Sequence, residues 1–150
     1  MRLVLQRVSS ASVTVDGQLR GSIGTGLMVL VGVECGDTRE DADWLAAKTA
    51  AMRIFPDDNE VMNRSVTDIH GDVLAISQFT LTASTRKGNR PSYIRAAAGA
   101  ESKPLYDYFC DKLQQLIPGR VDKGVFGADM KVALVNDGPV TIIIDSRLRE

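Results

Sequence analysis

The 150 residues are 44% hydrophobic and 25% charged, a composition that suits one folded domain and excludes a chain without a core. A formal net charge of −1 supplies no overall basic field, so a nucleic-acid partner would have to be held by a local patch. The longest apolar run, Leu27–Val33, falls far below the ~20 residues that span a bilayer, and Met1-Arg2-Leu3-Val4-Leu5-Gln6-Arg7 is too short and too charged for a signal peptide. The expectation is a cytoplasmic protein with no membrane partner.

In chain order, Ala11–Val15 alternates apolar and polar residues, Asp16-Gly17 turns the chain, and Gln18–Ile23 returns as the second strand of a hairpin. Gly24-Thr25-Gly26 leads into Leu27–Val33, whose unbroken apolar character predicts a central strand covered on both faces. Gly21, Gly24 and Gly26 lack the strand-to-helix context of a dinucleotide loop and are read as turn residues. Cys35 is read as a loop thiol and Cys110 as a helix packing residue, unpaired in a reducing cytosol. Asp37 with Glu40 predicts a capping pair for a helix running to about Met52, with Trp44, Leu45, Lys48, Ala51 and Met52 as its stripe. Arg53-Ile54-Phe55 reads as a short strand ended by Pro56-Asp57-Asp58-Asn59.

Val66–His70 and Gly71-Asp72 turn into a strand at Val73, and its apolar run gives way abruptly to the polar tail Ser77-Gln78-Phe79-Thr80-Leu81. Thr82–Ala98 carries Arg86, Lys87, Arg90 and Arg95 with no acidic residue. A long loop of this kind is either functional or a solvated basic loop. A second helix is predicted over Lys103–Ile117, burying Leu105, Tyr108, Phe109, Leu113, Leu116 and Ile117, and ended by Pro118-Gly119. Met130–Val135 and Val140–Asp145 read as two strands joined at a hairpin tip, Asn136-Asp137-Gly138-Pro139. Pro139 is unusual there, because it removes a donor where the second strand begins to pair; it marks an edge or holds a backbone shape the protein needs. Together these elements predict a single α+β domain over residues 1–150, with a mostly antiparallel, curved or barrel-like sheet and two main helices.

Common catalytic machinery is missing. The one histidine, His70, sits beside the Gly71-Asp72 turn with no nucleophile motif, and is read as a surface turn residue. One His and two distant Cys make no convincing ligand set, so no metal and no cofactor is expected. The acidic residues are scattered, with no acid and base pair.

Taken together, Ser77-Gln78-Phe79-Thr80-Leu81 and Asn136-Asp137-Gly138-Pro139-Val140-Thr141 resemble the two signature motifs of the D-aminoacyl-tRNA deacylases. Leu5-Gln6-Arg7-Val8 with Ala11–Val15 resembles that family's opening. Arg53-Ile54-Phe55, Thr85-Arg86-Lys87-Gly88, Arg90-Pro91-Ser92 and Phe126-Gly127-Ala128-Asp129-Met130 resemble its later landmarks, in order, over nearly the whole chain. The resemblance implies hydrolysis of D-aminoacyl-tRNA to D-amino acid and tRNA by a homodimer with its active site near the interface. It implies a catalytic set of Ser77, Gln78, Phe79 and Thr80, and chiral selection by Gly138 and Pro139, held cis and inserted from the partner subunit. Phe126 and Met130 would line a pocket for the terminal adenosine, or else pack beside a bend at Gly127. Arg86, Lys87 and Arg90 would meet the acceptor stem, and Arg7 would contact the tRNA or steady the site, where otherwise it is a surface arginine.

Such a substrate suits a chain without reactive side chains, because an aminoacyl ester is already labile. Backbone N–H groups around Phe79 and Thr80, with a ribose hydroxyl of the substrate, would then carry the chemistry. A Thr80 nucleophile is the rival reading, although no neighbouring base is visible to activate it. Two further classes stay open on the sequence: a non-catalytic RNA-binding dimer, and a small-ester hydrolase using Thr80. Glycyl-tRNA, with no side chain to exclude, is a further candidate substrate.

Overall fold

A computed structural model describes residues 1–150. The sheet grows from one long strand, β1 (Arg2–Val15). One edge of β1 pairs first with β3 (Gly26–Gly32), over Arg2–Val8, and then with β2 (Gln18–Ile23), over Ala11–Val15. Its other edge carries β8 (Lys131–Asp145), antiparallel along almost its whole length. β6 (Asp72–Ser77) lies parallel to β3, and β7 (Val121–Lys123) parallel to β6. Side chains bring β7 round towards β2: the Ser22 N–H donates to Asp122 at 3.0 Å, and Arg120 donates to the Ser22 carbonyl at 2.9 Å. The result is the barrel-like α+β fold expected, mostly antiparallel but with β6 and β7 parallel to their neighbours. A small ribbon of β4 (Phe55–Pro56) and β5 (Met62–Arg64) stands apart.

Strand alternation sorts the core into two layers. Leu27, Val29, Val31, Val73 and Ala75 face the helices, while Met28, Leu74 and Ile76 point into the barrel with Val8, Ala11, Val13 and Ile23. The run at Leu27 is therefore covered on both faces, as its sequence predicts. The Asp16-Gly17 turn also forms where expected, with φ of 50° and 74°.

Both helices differ in detail from expectation. α1 (Arg39–Ala51) is capped by Thr38, whose N–H donates to the Asp41 carboxylate at 2.8 Å; the capping pair is one residue later than Asp37 and Glu40. Its buried face is Ala42, Leu45, Ala46, Thr49 and Ala50, small residues that let it lie close to the second helix. Trp44 sits at the rim under the cations of Lys48 and Arg149, and Lys48 and Ala51 are exposed. α2 (Gly99–Leu116) begins before Lys103 and takes Pro104 inside it. Tyr106, not among the residues expected to be buried, is fully covered, its hydroxyl donating to the Ala75 carbonyl at 2.8 Å; Tyr108 packs half-buried against the core with its hydroxyl donating to Asp43, and Leu116 is exposed. In place of an Arg53–Phe55 strand, only Phe55 and Pro56 pair. Cys110 is buried, Cys35 exposed, and they form no disulfide. His70 is an exposed turn residue. No helix is long and apolar enough to cross a membrane.

The largest correction concerns Asn136-Asp137-Gly138-Pro139. The chain does not reverse there, and the two predicted strands are one strand, β8, interrupted by an excursion. Val8 faces Asn136 and Gln6 faces Thr141, so two steps along β1 correspond to five along β8, and the surplus residues loop out as a wide bulge. Asn136 spans the gap. Its side-chain oxygen accepts the Val140 N–H at 3.1 Å, and its amide nitrogen donates to Thr141 Oγ1 at 3.1 Å. Arg7 holds the excursion from below, donating from Nε to the Asp137 carbonyl at 2.9 Å and from Nη1 to the Ile54 carbonyl at 2.7 Å.

Asn136→Ala should therefore free the Val140 amide, speed its hydrogen exchange and lower unfolding stability by about 1 kcal/mol; urea titration with exchange mass spectrometry reads both. A second expectation concerns acid. Burial pushes the Asp145 carboxyl up, but bonds from the Arg147 N–H and the Arg2 guanidinium outweigh it and hold it below the usual carboxylate range. A carboxylate depressed in the folded state stabilises at neutral pH and loses that contribution as pH falls through its folded pKa. The Tm difference between the parent and Asp145→Asn should be largest at neutrality and shrink on acidification.

Candidate active site

The polar tail of β6 shapes the site. The Gln78 N–H still donates to the Val31 carbonyl at 2.8 Å, but the strand ends at Ser77, and Phe79–Thr82 makes a single 3₁₀ turn instead of the continued strand expected. β3 ends opposite at Gly32, and the turn folds over it: a Cβ there would lie 2.9 Å from Leu81 Cβ and 3.1 Å from the Gln78 carbonyl oxygen. Two arginines far away in sequence pin the turn. Arg2 donates to the Leu81 carbonyl at 2.9 Å, and Arg95 to the Thr82 carbonyl at 3.2 and 3.3 Å. Nothing in the local sequence marks either arginine for this task.

Ser77, Gln78 and Phe79 form one wall of a cavity of about 510 Å³. Phe126, Met130 and the bend at Gly127 form the opposite wall, between β7 and β8. Its floor is apolar, from Val31, Ile76, Ala97 and Tyr106. The Ser77-Gln78-Phe79 part of the first signature motif and the Phe126–Met130 landmark thus line one space, whereas the second signature motif, Asn136–Thr141, contributes no residue to it. Phe126 and Met130 both line it and pack against the core beneath. Thr80 is half-buried beside the cavity, and its hydroxyl accepts a bond from the Gln78 amide nitrogen.

The lining holds no histidine or cysteine, and its one carboxylate, Asp129, accepts from the Lys131 ammonium at 3.0 Å through both oxygens. Burial pushes the Tyr106 phenol well above its ordinary value, and it stays a donor to Ala75. Burial likewise pushes the Cys110 thiol up to about 12, far from thiolate chemistry at neutral pH. The backbone offers more. Within the turn the first bond runs from the Leu81 N–H to the Gln78 carbonyl, so the N–H groups of Phe79 and Thr80 stand ahead of the bonded turn.

The other predicted residues lie outside this cavity. Gly138 and Pro139 are exposed at the crest of the β8 excursion, and the peptide bond joining them is cis. Arg7 is largely covered, with its guanidinium engaged by the Asp137 and Ile54 carbonyls. Arg86, Lys87 and Arg90 are exposed on the basic loop, and Arg86 and Lys87 line an open groove with Ile94 and Arg95. Tyr93, absent from the sequence-based site, sets its ring edge-on to Phe79, with centroids 5.0 Å apart.

Comparison with known proteins agrees over the full length. The family model described as D-Tyr-tRNA(Tyr) deacylase matches residues 4–145. The chain is 59% identical over 150 residues to the D-aminoacyl-tRNA deacylase of Akkermansia muciniphila and 57% identical to that of Flavobacterium johnsoniae, covering 100% of each chain in both cases. Among solved structures it superposes on the c-Myc DNA unwinding element binding protein with a TM-score of 0.92 and 37% identity, covering 97% of this chain and 98% of the other. A structure described as a probable eukaryotic D-amino acid tRNA deacylase shares the fold, with a TM-score of 0.81 at 19% identity and coverage of 95% and 97%. With the family model matching nearly the whole chain and full-length relatives above half identity, this chain belongs to the D-Tyr-tRNA(Tyr) deacylase family and is a hydrolase of that family.

Proposed function

We propose that the chain hydrolyses the ester of D-aminoacyl-tRNA in the cytoplasm, accepts glycyl-tRNA as well, and leaves L-aminoacyl-tRNA intact. The observation that carries this reading is the meeting of Ser77-Gln78-Phe79 with Phe126 and Met130 across one cavity, in a chain of this family. Phe126 and Met130 hold the terminal adenosine, which brings the aminoacyl carbonyl to the 3₁₀ turn. Water adds to that carbonyl carbon, the bond to the ribose oxygen breaks, and the proton from water passes to the departing ribose oxygen through the neighbouring ribose hydroxyl. The N–H groups of Phe79 and Thr80 stabilise the oxyanion; one such donor is worth about 2.7–4 kcal/mol. Ser77 and Gln78 shape the wall, and the Gln78 amide engages the Thr80 hydroxyl, an arrangement that supplies no base to make it a nucleophile.

Handedness is read by Gly138 and Pro139 of a partner subunit in a homodimer. Two features support this: the pair is exposed on its own chain, and the exposed face of β8 carries a large apolar side chain on either side of it, Val135 56% and Ile143 67% exposed. Backbone carbonyls set against the substrate Cα exclude an L side chain of any size, and glycine has none to exclude. Arg86, Lys87 and Arg90 meet acceptor-stem phosphates, while Arg7 steadies the excursion through Asp137.

Incubation with D-tyrosyl-tRNA and L-tyrosyl-tRNA should release tyrosine from the first alone; equal release, or none, would refute the assignment. Thr80→Ala should keep turnover within about tenfold of the parent, whereas a folded variant losing several orders of magnitude would establish the hydroxyl as the nucleophile. A Cβ at Gly138, where φ is +135°, would lie 2.8 Å from Val140 Cγ2 and 3.0 Å from an Arg7 nitrogen. Gly138→Ala should displace the crest and lower the ratio of D to L hydrolysis by tenfold or more; an unchanged ratio would show that this element does not read chirality.

A further inference from the structure

Two of the exposed large apolar side chains lie side by side on the basic loop, next to the cavity. Tyr93 is 39% exposed and Ile94 85%, and the Tyr93 ring meets Phe79, itself 57% exposed and part of the cavity wall. Beyond them, Ile94 lines the groove that holds Arg86, Lys87 and Arg95. Phe79 on the cavity wall, the Tyr93 ring and Ile94 in the cationic groove thus adjoin one another in that order.

The rings are presented on a fixed support. Ser84 and Ser92 exchange backbone bonds of 2.8 and 2.9 Å at the neck of the loop. The Ala96 N–H closes a turn onto the Tyr93 carbonyl at 2.9 Å, and the Ala97 N–H ties the loop to the Val33 carbonyl at 3.1 Å. A ring held partly in water by so many main-chain bonds keeps its orientation at little further entropic cost when a flat ligand settles on it.

We propose that Tyr93, extending from Phe79, is a stacking platform for the unpaired nucleotides that precede the terminal adenosine, with Ile94 flanking the bases and the cationic groove taking their phosphates. This rests on the substrate reading above. Its chemistry is that of single-stranded RNA recognition: aromatic faces for the bases beside a positive track for the backbone. Charge decides the occupant: the loop from Thr82 to Ala98 has no acidic residue, and although Arg95 pairs with Glu34 and the Thr82 carbonyl, Arg86, Lys87 and Arg90 form no ion pair. A polyanion fits that track better than a second, acidic-to-neutral copy of this chain.

The test compares two esters, D-tyrosyl-tRNA and D-tyrosyl-adenosine, the second lacking the nucleotides the platform would hold. The parent should show the lower KM for the longer substrate, and Tyr93→Leu, which stays apolar but has no ring, should lose about tenfold of that preference. Tyr93→Phe and Tyr93→Trp should keep it. An unchanged preference in Tyr93→Leu overturns the proposal, as does an equal fall in kcat on both substrates, which would mean the ring only props Phe79. A changed oligomeric state with the preference intact would assign the patch to contact between copies and also overturns it. Binding of an uncharged acceptor minihelix, with and without its single-stranded end, separates this proposal from the deacylase reading. A Tyr93-dependent gain from the single-stranded end in a protein that cleaves neither ester would sustain the platform and sink the enzyme assignment.

Discussion

The two edges of β1 fix the position of everything that matters in this molecule. One edge is divided between β3 and β2, and the other carries β8, so a single strand connects the barrel interior, the helical layer and the excursion at Gly138. A β-ladder tolerates surplus residues in one strand only by ejecting them, and the ejected backbone then needs new partners for its polar groups. Asn136 and Arg7 supply those partners, one from within β8 and one from β1. Because the ladder resumes in register beyond the excursion, from Thr141 to Asp145, the crest is tethered at both ends. It is a rigid projection, unlike a loop tip.

The cavity follows from the opposite event, the ending of two parallel strands. β3 and β6 stop together, and the chain after β6 folds back over Gly32 as a short turn. The groups so exposed are main-chain donors and an apolar floor; the one carboxylate on the lining, Asp129, is held by the Lys131 ammonium, and no histidine or cysteine joins it. Such a site suits a substrate whose bond is already reactive, where orientation and charge stabilisation supply the remaining barrier reduction. It also explains why positioning residues such as Arg2 and Arg95 hold carbonyls of the turn and keep their charges away from the cavity.

One wall of the cavity, the aromatic pair and the cationic groove adjoin because Phe79, Tyr93 and Ile94 sit on consecutive segments, the 3₁₀ turn and the basic loop that follows it. Net charge hides this arrangement: acidic residues elsewhere balance the loop, so the total of −1 says little about where RNA could lie. Local charge density within a Debye length is what a phosphate feels.

Local chemistry was legible in the residues themselves. The Asp16-Gly17 turn, the doubly buried run at Leu27, both helices and the polar break at Ser77 follow from backbone preference and hydrophobic period, which act over a few residues. The motif strings at Ser77–Leu81 and Asn136–Thr141 pointed to the family for the same reason. What the residues could not decide was which partner each segment meets. Asn136-Asp137-Gly138-Pro139 has the composition of a hairpin tip, and only pairing with β1, far away in sequence, makes it an excursion in a continuous strand. Tyr106 and Tyr108 are equally apolar by pattern, yet Tyr106 is the one fully covered, its hydroxyl donating to the Ala75 carbonyl. The Tyr93 ring has no periodic signature at all, and its place beside Phe79 comes from bonds that close the loop between Ser84 and Ser92. Turn propensity and period are short-range quantities; register, burial and the meeting of distant walls depend on long-range pairing, which tertiary structure alone determines.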